Sequence, residues 1–365
     1  MHNLKNPITT RERFNRVIHW EKPDKIPNMD FGYWEETIQL WHSQGLPDHI
    51  KTDIQMEEYL KLEGESRIPT LPISNGLFPP FENRVIEDKG DSVIVQDHEG
   101  NICENLKNGS SIPRYLKFGL ESRKDWERYK NERLDYTLPE RIGNVKDAVK
   151  RAHDSGMPIR FHAGSLYGWL RNWMGVERFS IALMMEQDWI SEMMDHLTDM
   201  TLYLIEKSFE GLDIDVAWWW EDMCYNKGPL VSPKIFNKLM VPRYRVITRL
   251  LKKYNVDVNV LDCDGNIHEL TGGWIDAGIN CMFPLEALHT DPFVLRKRFG
   301  EKLLLMGGVN KVALAGTKDD ISREIERIQP LVAQGGYIPT VDHRVPPDVS
   351  FDSYLFYLEK KREIL

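Results

Sequence analysis

Cysteine is scarce in this chain of 365 residues: Cys103, Cys224, Cys263 and Cys281 stand far apart, and no CxxC pair occurs. That spacing argues against a zinc ribbon and offers no disulfide framework, so reduced thiols in a cytoplasmic protein are expected. Long apolar runs are missing as well. No stretch of about 18 apolar residues exists to span a membrane, and Met1–Thr10 lack the apolar core of a secretion signal. Basic excess is absent: 47 Lys and Arg face 56 Asp and Glu, for a net charge of −9. With no long basic stripe, a nucleic-acid partner is not expected. No GxGxxG loop follows any apolar run, which removes the usual dinucleotide fingerprint.

What is present is an apolar fraction of 41%, enough for a substantial core, and 11 tryptophans. Thr9 or Thr10 can cap a first helix carrying Phe14, Val17 and Ile18 at helical spacing. Lys25 to Phe31 reads as a first strand. Residues 84–106 read as an antiparallel excursion: three short strands separated by Asp-Lys-Gly-Asp and His-Glu-Gly-Asn turns. From about residue 140 strands alternate with helices. The expected strands are Pro158–Gly164, Asp213–Glu221, Val256–Asp264, Ile279–Glu286, Leu303–Gly308 and Gly336–Asp342. The clearest helix is Lys318–Ala333, with Ile321, Ile325, Ile328 and Val332 on one face and Gly335-Gly336 as its stop. Six strands plus the early one approach the eight of a (β/α)8 TIM barrel. A doubly wound sheet is the alternative. Without a linker, repeat or low-complexity tract, one domain spanning 1–365 is the economical expectation.

In such a barrel the active site lies at the C-terminal strand ends, and those ends are polar here. They supply Asp30; His162; Glu221 and Asp222 after three tryptophans; Asp262 and Asp264; Glu286; Asn310 and Lys311 after Gly307-Gly308; and Asp342, His343 and Arg344. Along a strand Asp262 and Asp264 share one face, and Cys263 faces the other way. Adjacent carboxylates need a cation, a shared proton or donors to hold them. Asp262, Asp264, Glu286 and Asp342 could converge on a metal, with His343 as a substitute ligand. Such oxygen donors favour Mg²⁺, Mn²⁺ or Ca²⁺ and leave zinc open. The competing reading makes Asp264-Gly265-Asn266 a plain turn opening a helix. Tyr167, Trp169, Trp173 and Trp218 to Trp220 either stack on a ligand or form core; three consecutive tryptophans must face both ways.

Several blocks resemble the uroporphyrinogen decarboxylase-like superfamily. They are Thr10-Arg11-Glu12-Arg13-Phe14 with Glu21-Lys22-Pro23-Asp24-Lys25-Ile26-Pro27; Gly164 to Arg171; Trp220-Glu221-Asp222-Met223; and Gly336-Tyr337-Ile338-Pro339 with Asp342-His343. The resemblance implies the barrel, and its related group includes zinc-dependent, corrinoid-linked methyltransferases and cobalamin-independent methionine synthase. The methyltransferase branch carries a His-x-Cys pair, a later Glu in some members and a late Cys. Asp262 and Asp264 stand at the first two places, Glu286 suits the Glu, and Asp342 stands near the last. The ligands have become hard oxygens, which counts against thiolate-type zinc chemistry. The decarboxylase branch grips its polycarboxylate with an Arg-rich loop. Asn28 to Glu36 contain no arginine, and a mouth of six acids would repel such a substrate.

The resemblance therefore implies a methyltransferase acting on a small methylated compound, such as an aryl methyl ether or a methylamine, or exchanging methyl with a corrinoid partner protein. Glu221, Asp222 and His343 are the expected proton donors. His162, Tyr167, Trp169, Arg171, Trp219 and Asn310 are the expected substrate contacts. Asp262, Asp264, Glu286 and Asp342 form the expected metal or acid cluster. Three alternatives stay open: a decarboxylase of the porphyrin type, a glycoside hydrolase using Glu221 and Glu286, and a binding protein without catalysis. A homodimer is also open.

Overall fold

The computed structural model describes residues 8–107 and 113–365, the side chain of Glu65 excepted. The antiparallel excursion forms a four-stranded meander: β1 (Arg84–Asp88), β2 (Ser92–Gln96), β3 (Ile102–Leu106) and β4 (Arg114–Lys117). Sequence patterning anticipates the first three strands. The fourth is too short and too polar to stand out.

The second sheet is parallel. Its strands are β5 (Arg160–Gly164), β6 (Val216–Trp220), β9 (Asn259–Asp262), β10 (Cys281–Phe283), β11 (Leu304–Met306) and β12 (Tyr337–Ile338). A two-residue hairpin, β7 (Cys224–Tyr225) and β8 (Gly228–Pro229), lies between β6 and β9 in the chain. The parallel strands pair in sequence order from β5 to β12, as in a (β/α) barrel, with helices between them. A parallel bridge from Thr70 to Arg160 extends the β5 edge. All six strands expected after residue 150 are present.

Hydrogen-bonded closure is not seen among the described residues, because the expected first strand at Lys25–Phe31 is not a strand. Its role at the β12 edge passes to a side chain. Asp30 accepts the Val341 N–H at 2.7 Å and the hydroxyls of Tyr354 (2.7 Å) and Tyr357 (3.3 Å). Its carboxylate also lies 3.7 Å from the fully buried Lys361 ammonium.

Alternation along each strand divides the core in two. Val216 and Trp218 of β6, Val260 of β9, Cys281 and Phe283 of β10, Leu304 and Met306 of β11 and Ile338 of β12 pack together inside the curve of the sheet. Ala217, Trp219, Leu261, Met282, Leu305 and Tyr337 face the helices. The helix Thr10–Ile18 adds Phe14, Val17 and Ile18 to the inner cluster. It is held near the N-terminal strand ends, where Arg11 meets Asp215 at 2.8 Å and His19 lies 3.2 Å from Asp257. Thr9 caps it as its sequence suggests. The helix Lys318–Gln334 buries Ile321, Ile325 and Ile328 and ends at Gly335, again as its periodicity indicates. One plug therefore closes the N-terminal end of the sheet, leaving the C-terminal strand ends to carry the polar groups.

Candidate active site

Two glycines set the geometry at the C-terminal strand ends. Gly265, just after β9, has φ +78°, and a Cβ there would lie 2.7 Å from the Tyr225 backbone. Gly307, just after β11, has φ +106°, and its Cβ would fall 1.5 Å from the Pro284 carbonyl oxygen. Only glycine accepts both the backbone angle and the close approach. These turns seat the loop after β9 on the β7–β8 hairpin and the loop after β11 on the loop after β10.

Asp342 ties the loops from beneath. Its Oδ2 accepts the Ala287 N–H at 2.9 Å and its Oδ1 accepts the Lys311 N–H at 3.0 Å. Burial pushes its pKa up, partly opposed by Lys311 and these two donors. Above it, Glu286 accepts the Gly265 N–H at 2.8 Å on one oxygen and the Lys311 ammonium at 2.8 Å on the other. Beside this pair, His343 Nε2 lies 3.5 Å from Asp264 Oδ2. Its ring stacks on Trp34, with centroids 5.6 Å apart, and meets the edge of Phe31 at 5.7 Å. Burial acts to lower the His343 pKa, but the hydrogen bond and charge of Asp264 outweigh it, and the net shift is upward. Both partners stay partly open to solvent: 22% of the His343 side chain and 33% of Asp264. The result is a partly exposed imidazole paired with a carboxylate, with a second ion pair alongside.

The expected metal cluster is not assembled. Among the described residues no three His, Cys, Asp or Glu side chains converge as a ligand group. The reason lies in the donors. Asp342 is committed to two backbone N–H groups, Glu286 to Lys311 and Gly265, and Asp264 faces His343. Cys263 turns into the helix-facing core, as alternation requires. Asp262 ends the inner stripe of β9, and its carbonyl accepts the Glu221 N–H. As arranged, these residues do not fit a metal.

Other expected site residues are placed elsewhere. Glu221 is fully buried, with no exposure. It accepts the Ser165 hydroxyl at 2.9 Å and the N–H groups of Leu166 (2.8 Å), Tyr167 (2.7 Å) and Gly168 (3.3 Å). Burial raises its pKa against these donors. It anchors the turn before the helix Gly168–Met174. Trp219 faces the helices, donates to Asn259 Oδ1 at 3.1 Å and packs edge-on against Tyr244. Tyr167 is buried against Phe179. Asn310 caps the helix Lys311–Leu314 through the Val312 N–H. Asp222 pairs with Arg171 at 3.1 Å, and the Arg171 guanidinium lies over Trp220. Each is a structural solution for a residue type that could also do chemistry.

His162 and Trp169 line a cleft of about 350 Å³. Their rings are nearly parallel with centroids 6.1 Å apart, and Trp173 continues the stack at 6.1 Å. Burial, aided by Arg160, lowers the His162 pKa to about 4, so it is neutral near pH 7. Glu99 and His98, from the turn between β2 and β3, and Asn75 also line it. Sequence reasoning passed over Glu99 and Trp34. Trp34 sits just beyond the N-terminal block, and Glu99 in a Glu-Gly turn that reads as mere punctuation.

The six parallel strands pairing in sequence order, with charged pairs at their C-terminal ends, are an α/β arrangement of the (β/α) type. The sequence model of the uroporphyrinogen decarboxylase (URO-D) family matches residues 105–363, and the chain belongs to that family. No curated protein matches the sequence. Among solved structures, a methyltransferase from Methanosarcina mazei is similar over 98% of this chain and 99% of its own, with a TM-score of 0.63 and 17% identity. A B12-independent methionine synthase from Shewanella sp. W3-18-1, in complex with selenomethionine, is similar over 93% and 97%, with a TM-score of 0.32 and 12% identity. No helix among the described residues is long and apolar enough to cross a membrane.

Proposed function

We propose that this protein is a methyltransferase of the URO-D superfamily, with His343 as general acid. The observation that carries the reading is the Asp264–His343 pair: a partly exposed imidazole whose pKa is raised by its carboxylate, at the C-terminal strand ends. Methyl transfer from oxygen or nitrogen leaves electron density on the departing heteroatom. A positioned acid neutralises that density and lowers the barrier. Asp264 orients the imidazole and favours its charged form. Trp34 and Phe31 fix the ring plane. Lys311, held by Glu286, supplies a second positive charge close by. The methyl acceptor is a nucleophile from outside the chain, a thiol or a reduced corrinoid on a partner protein.

The decarboxylase alternative is weakened by the mouth itself. Its cations are each taken by an acid, as in Asp264–His343, Glu286–Lys311 and Asp222–Arg171. That arrangement offers no surplus of cations for a polycarboxylate. The glycosidase reading needs Glu221 at the sugar, and Glu221 is sealed in the core. Incubating the protein with a thiol or corrinoid acceptor and a panel of methylated oxygen and nitrogen compounds tests the proposal. Methylated acceptor is the expected product; release of CO₂ from a porphyrinogen without methyl transfer would favour the decarboxylase.

A further inference from the structure

The four cysteines stand far apart along the chain, but the fold brings two of them together. Cys224 opens β7, and Cys263 directly follows the last residue of β9. Their loops are joined through the backbone. The Asn266 N–H donates to the Tyr225 carbonyl at 2.9 Å, and a Cβ at Gly265 would lie 2.7 Å from the Tyr225 backbone. Where these loops meet, the Cys224 and Cys263 thiols lie within hydrogen-bonding reach of each other, in the helix-facing core. Cys103 and Cys281 are placed elsewhere, one in β3 of the meander and the other in the inner cluster.

The two thiols differ in access. Cys263 is 2% exposed, and burial pushes its pKa well above the usual thiol range. Cys224 is 7% exposed and belongs to a hairpin held by two residue pairs, with Tyr225 beside it 47% exposed. So short a ladder at the surface opens at little cost. Cys224 is therefore the thiol that an oxidant from solution meets, and Cys263 is placed to resolve the product.

We infer that Cys224 and Cys263 are a modification site, a thiol pair that closes to a reversible disulfide on exposure to a small disulfide such as oxidised glutathione. The Cys224 thiolate attacks one sulfur of the small disulfide, forming a mixed disulfide and expelling one thiolate. The Cys263 thiolate then attacks the Cys224 sulfur. The protein disulfide forms and the second small thiolate leaves. In balance the cysteines give up two protons and two electrons, and the small disulfide becomes two thiols. Excess small thiol reverses both steps. Closure also removes the Cys263 S–H that donates to the Asp264 carbonyl at 3.6 Å. Asp264 is the next residue, so the bond alters the backbone that aims its carboxylate at His343. Pairs of this kind in reducing compartments act as redox sensors rather than as structural staples.

The test treats folded, reduced protein with oxidised glutathione, blocks the remaining thiols in denaturant, and maps peptides by mass spectrometry without reduction. One intramolecular Cys224–Cys263 disulfide is expected, with Cys103 and Cys281 recovered as blocked thiols and full reversal by dithiothreitol. Cys103→Ser should form the bond as the wild type does. Cys224→Ser should lose it, and Cys263→Ser should stop at glutathione on Cys224. Thermal melting of the reduced variants confirms that each is folded. NMR titration of His343 should be displaced in the oxidised wild type. Four free thiols in the folded wild type after treatment overturn the inference, as does glutathione on Cys103 or Cys281 in place of the pair. A bond that forms only once the chain is unfolded overturns it too. An unmoved His343 titration in protein carrying the bond overturns the link to Asp264.

Discussion

His343 Nε2 stands 3.5 Å from Asp264 Oδ2, joining the loop after β12 to the loop after β9. The contact pairs two residues that sequence alone offers as metal ligands. It also explains why a partly buried histidine keeps an elevated pKa, since burial by itself would lower it.

Asp264→Asn removes the charge that holds the proton on His343. NMR titration of the imidazole should show a pKa above 6.5 in the wild type and a lower one in the variant, where burial persists without its counterweight. The alkaline limb of the pH–rate profile should move to lower pH in parallel. Linkage carries the same sign. The stability contributed by this pair is present below the unfolded pKa and is lost as pH rises through the raised folded value. An unmoved His343 titration would show that Asp264 does not control it.

Glu221→Gln tests a residue reassigned from catalysis to architecture. It keeps the shape but weakens the acceptors for Ser165, Leu166 and Tyr167. A loss of about 1–3 kcal/mol in denaturant unfolding is expected, with the pH–rate profile unshifted. A displaced profile at unchanged stability would return Glu221 to the chemistry.

Asp30 and Lys361 form the buried clamp where the expected first strand is missing. Asp30→Ala leaves the Lys361 ammonium buried without its carboxylate and should cost about 3–5 kcal/mol. The double variant Asp30→Ala, Lys361→Met should recover part of that loss, because no uncompensated charge remains. Lys361 has its pKa lowered to about 8 by burial, opposed by Asp30. The unfolded chain therefore binds the extra proton between about pH 8 and the ordinary lysine value of 10.5, and stability attributable to Lys361 rises with pH across that window. Equal melting of single and double variants would separate the two residues.

The fold was legible where local pattern and tertiary role agree. Strands β5, β6, β9, β10, β11 and β12 are short apolar runs ending in polar turns, and the helix Lys318–Gln334 has a clean face and a glycine stop. Lys25–Phe31 misled because its apolar residues pack as extended chain, with Asp30 supplying the contact that a strand ladder would make. At the C-terminal strand ends, position along the chain indicated which loops carry charged groups but not their side-chain partners. Glu221 and Trp219 differ from Asp264 and Trp169 only in which way the backbone aims them, and that is set by packing against helices far away in sequence. Glu99 escaped notice because the residue it meets, Asn172, comes from the helix Gly168–Met174, far along the chain.

The most direct test of the central claim is methyl transfer by wild type and His343→Gln, measured against the donor panel with a thiol or corrinoid acceptor at neutral pH. The account predicts transfer by the wild type and a drop of about 10²–10⁴-fold in kcat for the variant at unchanged stability. Wild-type turnover by His343→Gln, or no transfer from any donor by the wild type, would contradict it.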